Sequence, residues 1–351
     1  MKIGIEISTE TLKMLQVLSL THISICVTDL CPLQCAHCLV SAGDHSRSRS
    51  SLPREVALAI AAKMQELRER GVRRISLTGG EPTLVAETLQ MLSEAAFKNG
   101  LETTVVTSAF FAESYEESYR LIKSYPYISA WHISSDVYHQ VQVPRSCIVN
   151  AAEAAVRLGK KATVRMTVAK PITTTDTDLY NWLHNNLPEE AEIVVQPVIK
   201  TGRAEDLNPE IIKATVPGWP CITSGMAVRA DGSVSPCCGG LIADKNGHPF
   251  TYENVITAGI TKVYDDWRQD PLLQLIQAVG FAPLLGWIKE KLPNHPVLEG
   301  VPEHPCECCL ALWRVPEAVK LVRSKIENPA IKTKINTLYK TVFESVWPVG
   351  Y

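Results

Sequence analysis

The sequence has no excess of either charge: 35 Lys and Arg stand against 37 Asp and Glu, for a formal net charge of -2. That balance excludes a general electrostatic attraction to nucleic acid or to an anionic membrane, and neither is expected as a partner. Long apolar runs are also missing. The least charged stretch, from about Met14 to Gly43, is interrupted by Thr21, His22, Ser24, Thr28, Asp29 and Gln34 and broken at Pro32, so no membrane span is expected. Glu6 and Glu10 interrupt the N-terminus where an export signal would need a basic and then an apolar region. These absences lead to the expectation of a cytoplasmic protein. There is no internal repeat or low-complexity tract; the nearest candidate is the polar, basic stretch Gly43 to Ser51, which reads as a solvated loop or as a lid over a neighbouring site. An even cysteine count is lacking too. Eleven cysteines cannot close a disulfide framework, and 351 residues need no such staples. What is present is the composition of a globular protein, 46% hydrophobic and 21% charged, of a length that suggests roughly two domains.

From Thr21 to Pro197 short β-rich runs alternate with helical periods. His22 to Thr28 reads as a strand and Pro53 to Arg70 as one amphipathic helix stopped by Gly71. The pair then recurs. Strands are expected at RRISLT, ETTVVT, YISAWHIS, ATVRMTVAK and EIVVQPV, with helices at Val85 to Lys98, Ala112 to Ser124, Ile148 to Leu158 and Thr175 to Asn186. Such alternation is the mark of an α/β fold with parallel strands and right-handed crossovers, either an open sheet or a barrel. Past about Gly202 the segments shorten and Pro and Gly become frequent, as in a module organised more by ligands than by a large core. The stretch from about Ala311 to Trp347 is helical in period. The expected division is 1–204, 205–310 and 311–351.

Directly after the first strand comes Cys31-Pro-Leu-Gln-Cys35-Ala-His-Cys38. Three thiolates in one loop can wrap one metal centre but supply only three ligands, whereas a structural zinc would want a fourth. A [4Fe-4S] cluster held by three cysteines keeps one iron open to another ligand. The next strand ends in Thr78-Gly79-Gly80-Glu81-Pro82, in which two glycines permit close backbone approach and Glu81 can pair with an ammonium. The two motifs at consecutive strand ends resemble the radical S-adenosylmethionine enzymes. That resemblance implies a partial (β/α)6 TIM-like barrel, a [4Fe-4S] cluster on Cys31, Cys35 and Cys38, and Gly79, Gly80, Glu81 and Pro82 around the methionine amine of S-adenosylmethionine.

The resemblance extends along the barrel. Ser134 and Asp136 match a Ser-x-Asp used near the ribose hydroxyls, with a helix N-cap or turn as the plain alternative. Arg165 matches a contact to the cofactor carboxylate, with an ordinary ion pair as the alternative. Backbone near Val198 matches an approach to the adenine. The third strand ends in Thr107-Ser108-Ala109 where many relatives have Thr-Asn-Gly, and His37 stands where an aromatic residue is usual; its planar ring can still stack near the adenine.

The second cysteine group begins with Cys221, followed by Met226 to Pro236, a hairpin pattern with Asp231-Gly232 at its turn, and then Cys237-Cys238. His304-Pro305-Cys306-Glu307-Cys308-Cys309 follows much later. This resembles the auxiliary-cluster extensions called SPASM and twitch domains. It implies a smaller C-terminal module in which Cys221, Cys237, Cys306 and Cys309 ligate one auxiliary [4Fe-4S] cluster, with Cys238 and Cys308 as rival ligands. A four-thiolate zinc site is the alternative. Cys26 and Cys147 read as small buried residues, with Cys147 or Cys308 as a possible hydrogen-atom donor.

The resemblance implies reductive cleavage of S-adenosylmethionine to a 5'-deoxyadenosyl radical and hydrogen-atom abstraction from a substrate, with a low-potential donor such as flavodoxin or ferredoxin. Cross-linking, oxidation or epimerisation of a ribosomally made peptide is the favoured activity. Only about 20 residues precede the first strand, which leaves no room for a leader-binding domain. A small-molecule dehydrogenase, acting for example on a carbohydrate, is therefore the runner-up. A non-catalytic iron-sulfur or zinc module that binds a partner is the reading from another class.

Overall fold

The structure is a computed structural model that describes residues 8–43, 50–222 and 225–344. It divides into two compact units: Ile23–Glu210 with Val228–Gly232, and Lys2–His22 with Ile211–Ala227 and Ser233–Tyr351. The leading helix α1 (Thr9–Leu20), capped by the Ser8 hydroxyl, belongs to the second of these.

The first unit is a run of strands and crossover helices. In chain order these are β1 (His22–Thr28), α2 (Arg54–Ala61), α3 (Met64–Glu69), β2 (Arg74–Gly79), α4 (Ala86–Lys98), β3 (Glu102–Thr107), α5 (Tyr115–Lys123), β4 (Ala130–Ser134), α6 (Arg145–Arg157), β5 (Lys161–Val168), α7 (Thr174–Asn186) and β6 (Glu192–Pro197). The strands lie side by side in sequence order, and β2 to β6 pair in parallel. β6 pairs only with β5, so the sheet is not closed: this is an open, partial (β/α)6 arrangement. The register separates its two faces. Leu77, Val105, Trp131 and Ala162 share a row that is at most 2% exposed, which is the apolar layer expected beneath crossover helices. Val106, His132 and Thr163 share a row on the opposite face, as do Ser134, Arg165 and Val194. That face is polar and half-buried at His132, Thr163, Ser134 and Arg165. A closed TIM barrel would fill the same space with layers of branched apolar side chains.

The second unit contains β7 (Lys213–Ala214), β8 (Met226–Val228), β9 (Val234–Ser235), α8 (Val255–Ala258), α9 (Ile260–Gln269), α10 (Pro271–Ala278), α11 (Ala282–Lys291), β10 (Val301–Pro302), α12 (Pro305–Trp313), α13 (Pro316–Glu327) and α14 (Pro329–Glu344). β7 and β10 pair antiparallel, and β8 neighbours β9 as the hairpin pattern requires. The Gly232 N–H donates to Arg229 O with Gly232 at φ 77°, so a five-residue loop takes the place of a two-residue turn. Unlike the ligand-organised module read from its short segments, this unit has an apolar core of its own. Tyr264 and Trp267, each fully buried, stack at 5.7 Å; the Tyr264 hydroxyl donates to Leu20 O and the Trp267 indole to Pro236 O, both at 2.9 Å. Gln16 Nε2 donates to Gln277 O at 2.8 Å, which ties α1 to the same core.

Several boundaries differ from the sequence expectation. The helix expected from Pro53 to Arg70 breaks between α2 and α3, where Lys63 N bonds Ile60 O three residues back. No Pro or Gly marks that switch to a tighter turn. α5 starts at Tyr115 because the Ser114 hydroxyl caps Glu117 N, while Ala112 N still closes a turn with Ala109 O. β4 begins at Ala130 instead of Tyr127, since Ile128 N closes a turn onto Tyr125 O. The C-terminal helical stretch is cut into α12, α13 and α14, with Pro316 and Pro329 each opening a new helix. The lid reading of Gly43 to Ser51 falls on residues 44–49, outside the described residues. Among the described residues no single helix is long and apolar enough to cross a membrane.

Candidate functional site

The loop after β1 carries Cys31, Cys35 and Cys38, and none of the eleven cysteines is in a disulfide. The Cys31 thiol is pushed up to about 12, first by burial and then by the charges of Glu81, Cys35 and Cys38. The three groups that act on it are the other two cysteines of the motif and the acid of the second motif, so the fold converges the residues the sequence singled out. Thiols held high in this way become good ligands only when a metal displaces their protons. A trio of neighbouring sulfurs with an incomplete ligand set fits a [4Fe-4S] cluster with one open iron.

The loop is held by backbone approach on two sides. Gly80 N donates to Thr28 O at 2.6 Å and Glu81 N to Leu30 O at 2.7 Å. A Cβ at Gly79, whose φ is 138°, would lie 2.1 Å from Thr28 O, and one at Gly80 would lie 2.0 Å from Leu30 O. The two glycines of the motif are therefore steric requirements of this loop. On the other side, Gly202 at φ 59° abuts the Cys38 and Leu39 carbonyls. Arg203 N donates to Cys38 O at 3.0 Å, Arg203 Nε to Cys35 O at 2.8 Å, and its Nη1 to Ala42 O. The sequence reading passed over this clamp; the signal was a Gly-Arg pair at the exit of β6.

Glu81 is fully buried and links two motifs that the sequence named separately. Oε1 accepts from Thr83 Oγ1 and Thr107 Oγ1, both at 2.8 Å; Oε2 accepts from Ser108 N at 2.9 Å and Ser108 Oγ at 2.8 Å. A buried carboxylate needs such donors, and the hydroxyls among them can rotate to admit an ammonium. Pro82 is buried beside it and opens a single 3-10 turn.

Asp136 is also fully buried. Its Oδ1 accepts from Tyr138 N and His139 N at 3.0 Å, closing a turn, while Oδ2 lies 2.9 Å from His139 Nδ1 and 3.3 Å from His37 Nε2. Burial pushes the Asp136 carboxyl up, but the two imidazoles outweigh it and hold it well below the usual carboxylate range. For His139 burial lowers and Asp136 and Cys35 raise, so the imidazole is pushed up to about 10. Where the Ser-x-Asp resemblance implies Asp136 beside a ribose, the structure gives its carboxylate to these rings. His37 stacks on Tyr138 at 4.7 Å. His139, which no sequence signal marked, joins this group to Cys35.

Ser134 and Arg165 stand opposite each other in register on the polar face of the sheet. Arg165 Nη2 donates to Gln196 Oε1 at 2.7 Å and Gln196 Nε2 to Thr167 Oγ1 at 2.9 Å, a hydrogen-bonded row along the sheet. Val198 is buried and its N–H is taken by Val168 O at 2.8 Å.

The second unit holds its own thiol group. Cys221, Cys237, Cys306 and Cys309 are each at most 9% exposed. Burial pushes the Cys237 and Cys309 thiols far up, and each is raised further by the charges of the other three residues of the set or by two of them. Cys306 and Cys309 lie three apart on α12 and so share one face of it. Cys308 is fully buried and its thiol is pushed up to about 12 by burial. Cys238 is half-buried and adjoins Cys237. Cys26 and Cys147 are buried in β1 and α6.

Residues 25–183, spanning β1 to α7, match the Radical SAM superfamily. No curated protein matches the sequence. Among solved structures, native anSMEcpe with bound AdoMet (S-adenosylmethionine) is 13% identical with a TM-score of 0.53, over 90% of this chain and 99% of that one. A histidine-tagged form of anSMEcpe with bound AdoMet is 12% identical with a TM-score of 0.51, over 93% of this chain and 97% of that one. At these identities the likeness is one of fold, and it runs through both units. With the motif residues brought together at the strand ends, residues 25–183 form a domain of the radical SAM superfamily, that of an enzyme that uses S-adenosylmethionine.

Proposed function

We propose that this radical SAM enzyme oxidises a polar substrate by removing two hydrogens. The observation that carries the reading is the second thiol set, Cys221, Cys237, Cys306 and Cys309, which is complete where the first is incomplete. When bound, a [4Fe-4S] cluster with AdoMet would supply a 5'-deoxyadenosyl radical that takes one hydrogen atom, and an auxiliary [4Fe-4S] cluster a one-electron sink for the substrate radical, whose second hydrogen leaves as a proton to solvent. A four-thiolate zinc would be closed and redox-inactive, so metal analysis of the reconstituted protein separates the two.

The chain's own residues hold and orient. Cys31, Cys35 and Cys38, clamped by Gly79, Gly80 and Arg203, present one ligand site, and Glu81 with Thr107 and Ser108 offers a buried carboxylate for an amine. The polar face of the sheet, with His132, Thr163, Ser134 and Arg165, supplies hydrogen-bond donors and acceptors to a substrate.

A ribosomally made peptide is the favoured substrate class, because oxidative bond formation between side chains uses the same electron sink. The polar sheet face favours a second reading, a small hydroxylated molecule, since His132, Thr163, Ser134 and Arg165 are side chains of the kind that hydrogen-bond hydroxyl groups. A low-potential carrier such as flavodoxin or ferredoxin would be the electron donor, in the cytoplasm. The test is mass spectrometry of candidate substrates, both small peptides encoded beside the gene and polyols, after incubation with reconstituted enzyme, AdoMet and reductant. Loss of two hydrogens with stoichiometric 5'-deoxyadenosine is expected. Exchange of one hydrogen for solvent deuterium without that loss would replace oxidation by epimerisation.

A further inference from the structure

Trp313 is the last residue of α12, one turn beyond Cys309, and its indole Nε1–H donates to Cys309 Sγ at 3.0 Å. Residues four apart on a helix lie one above the other, so α12 aims donor and acceptor at each other. The indole is 5% exposed and packs edge-on to Phe250 at 6.3 Å. A buried indole N–H requires a partner, and this one has a sulfur.

We propose that Trp313 is a positioning residue that sets the electron affinity of the second thiol site through this N–H···S bond. The inference rests on the reading of that site as an iron-sulfur cluster. A hydrogen bond to a ligand sulfur places partial positive charge beside the centre and so favours its more negative, reduced state; such bonds are among the determinants of cluster potential. An electron sink benefits from that bias. The sequence signal is a Trp four residues after the final cysteine of the C-x-x-C pair.

The experiment uses the full chain with Cys31, Cys35 and Cys38 changed to Ala, so that the remaining signal comes from the second site. Anaerobic reconstitution is followed by iron and sulfide assay and by a redox titration read by electron paramagnetic resonance. Trp313→Phe is expected to keep about four iron and to be about tenfold less reduced at a fixed poise, a midpoint shift of about 59 mV to the negative for one electron. Trp313→His, which restores a donor, is expected to recover part of that shift. An unchanged midpoint in Trp313→Phe with its iron retained overturns the proposal. If the parent binds zinc or no iron, the cluster reading itself fails and the proposal falls with it. Should Trp313→Phe lose its iron, the parent with nitrogen-15-labelled indole decides: hyperfine coupling of the reduced cluster to the labelled nitrogen is expected, and its absence contradicts the proposal.

Discussion

Gly80→Ala is expected to empty the first metal site while leaving the second one loaded. A Cβ at that position would sit 2.0 Å from the Leu30 carbonyl oxygen, which is backbone and cannot swing aside. The strand end and the cysteine loop must then separate, breaking the Gly80–Thr28 and Glu81–Leu30 hydrogen bonds at 2.6 and 2.7 Å. Overpacking of this kind costs about 3 kcal/mol. Because the strain falls on the residues that set the spacing of Cys31, Cys35 and Cys38, iron per chain is expected to drop from about eight to about four. Production of 5'-deoxyadenosine should drop to background. Gly286→Ala is the control: nothing lies within 4 Å of its Cβ and it is inside α11, so iron is kept and stability rises by about 0.5–1 kcal/mol. Iron assays on the two variants side by side check this. Full iron loading in Gly80→Ala would show that the glycines are not steric requirements of the loop.

The second large effect separates two adjacent cysteines. Cys309→Ala removes a thiol on which Cys237, Cys221 and Cys306 act, whereas Cys308→Ala removes one raised by burial. Cys309→Ala is expected to lose the second cluster's iron. It should still cleave AdoMet abortively, but oxidise substrate at least about a hundredfold more slowly, since the loss of even a partner outside the ligand set costs 10–100-fold. Cys308→Ala should keep its iron and its turnover, and lose about 1 kcal/mol of stability for the small void. The pair of measurements is iron content and the ratio of oxidised product to 5'-deoxyadenosine. Equal losses in both variants would contradict the ligand set.

How much of this was legible in the residues follows from how local each feature is. The six strands and the crossover order were readable because β-branched runs and helical periods alternate over the whole first unit, and each strand was placed to within three residues of its bounds. The three-thiol loop and Gly79 to Pro82 were readable because each is contiguous. The choice of Cys309 over Cys308 was half readable: a C-x-x-C pair shares a helix face, but only once the segment is known to be helical. Three sets of contacts join distant parts of the chain, so local pattern points to the residues at most and not to their partners. Arg203 follows a visible Gly202 but reaches carbonyls more than 160 positions away. Thr107 and Ser108 are legible at the end of the third strand, but their bonds go to Glu81, one strand earlier. His139 bears on Cys35 only after β4 has been placed in the sheet. The break between α2 and α3 leaves no trace in residue types at all. The core of the second unit was underestimated because its helices are short and begin with Pro, which reads locally as a loop composition.

On the proposed function, the incomplete thiol set does the radical chemistry and the complete one does not. The most direct test is anaerobic reconstitution with iron and sulfide, addition of AdoMet and a strong reductant, and quantification of 5'-deoxyadenosine against iron content. The native chain should produce it; the chain with Cys31, Cys35 and Cys38 changed to Ala should produce none while retaining about four iron at the second site. Equal amounts from both proteins, or none from a native chain loaded at both sites, would contradict the account.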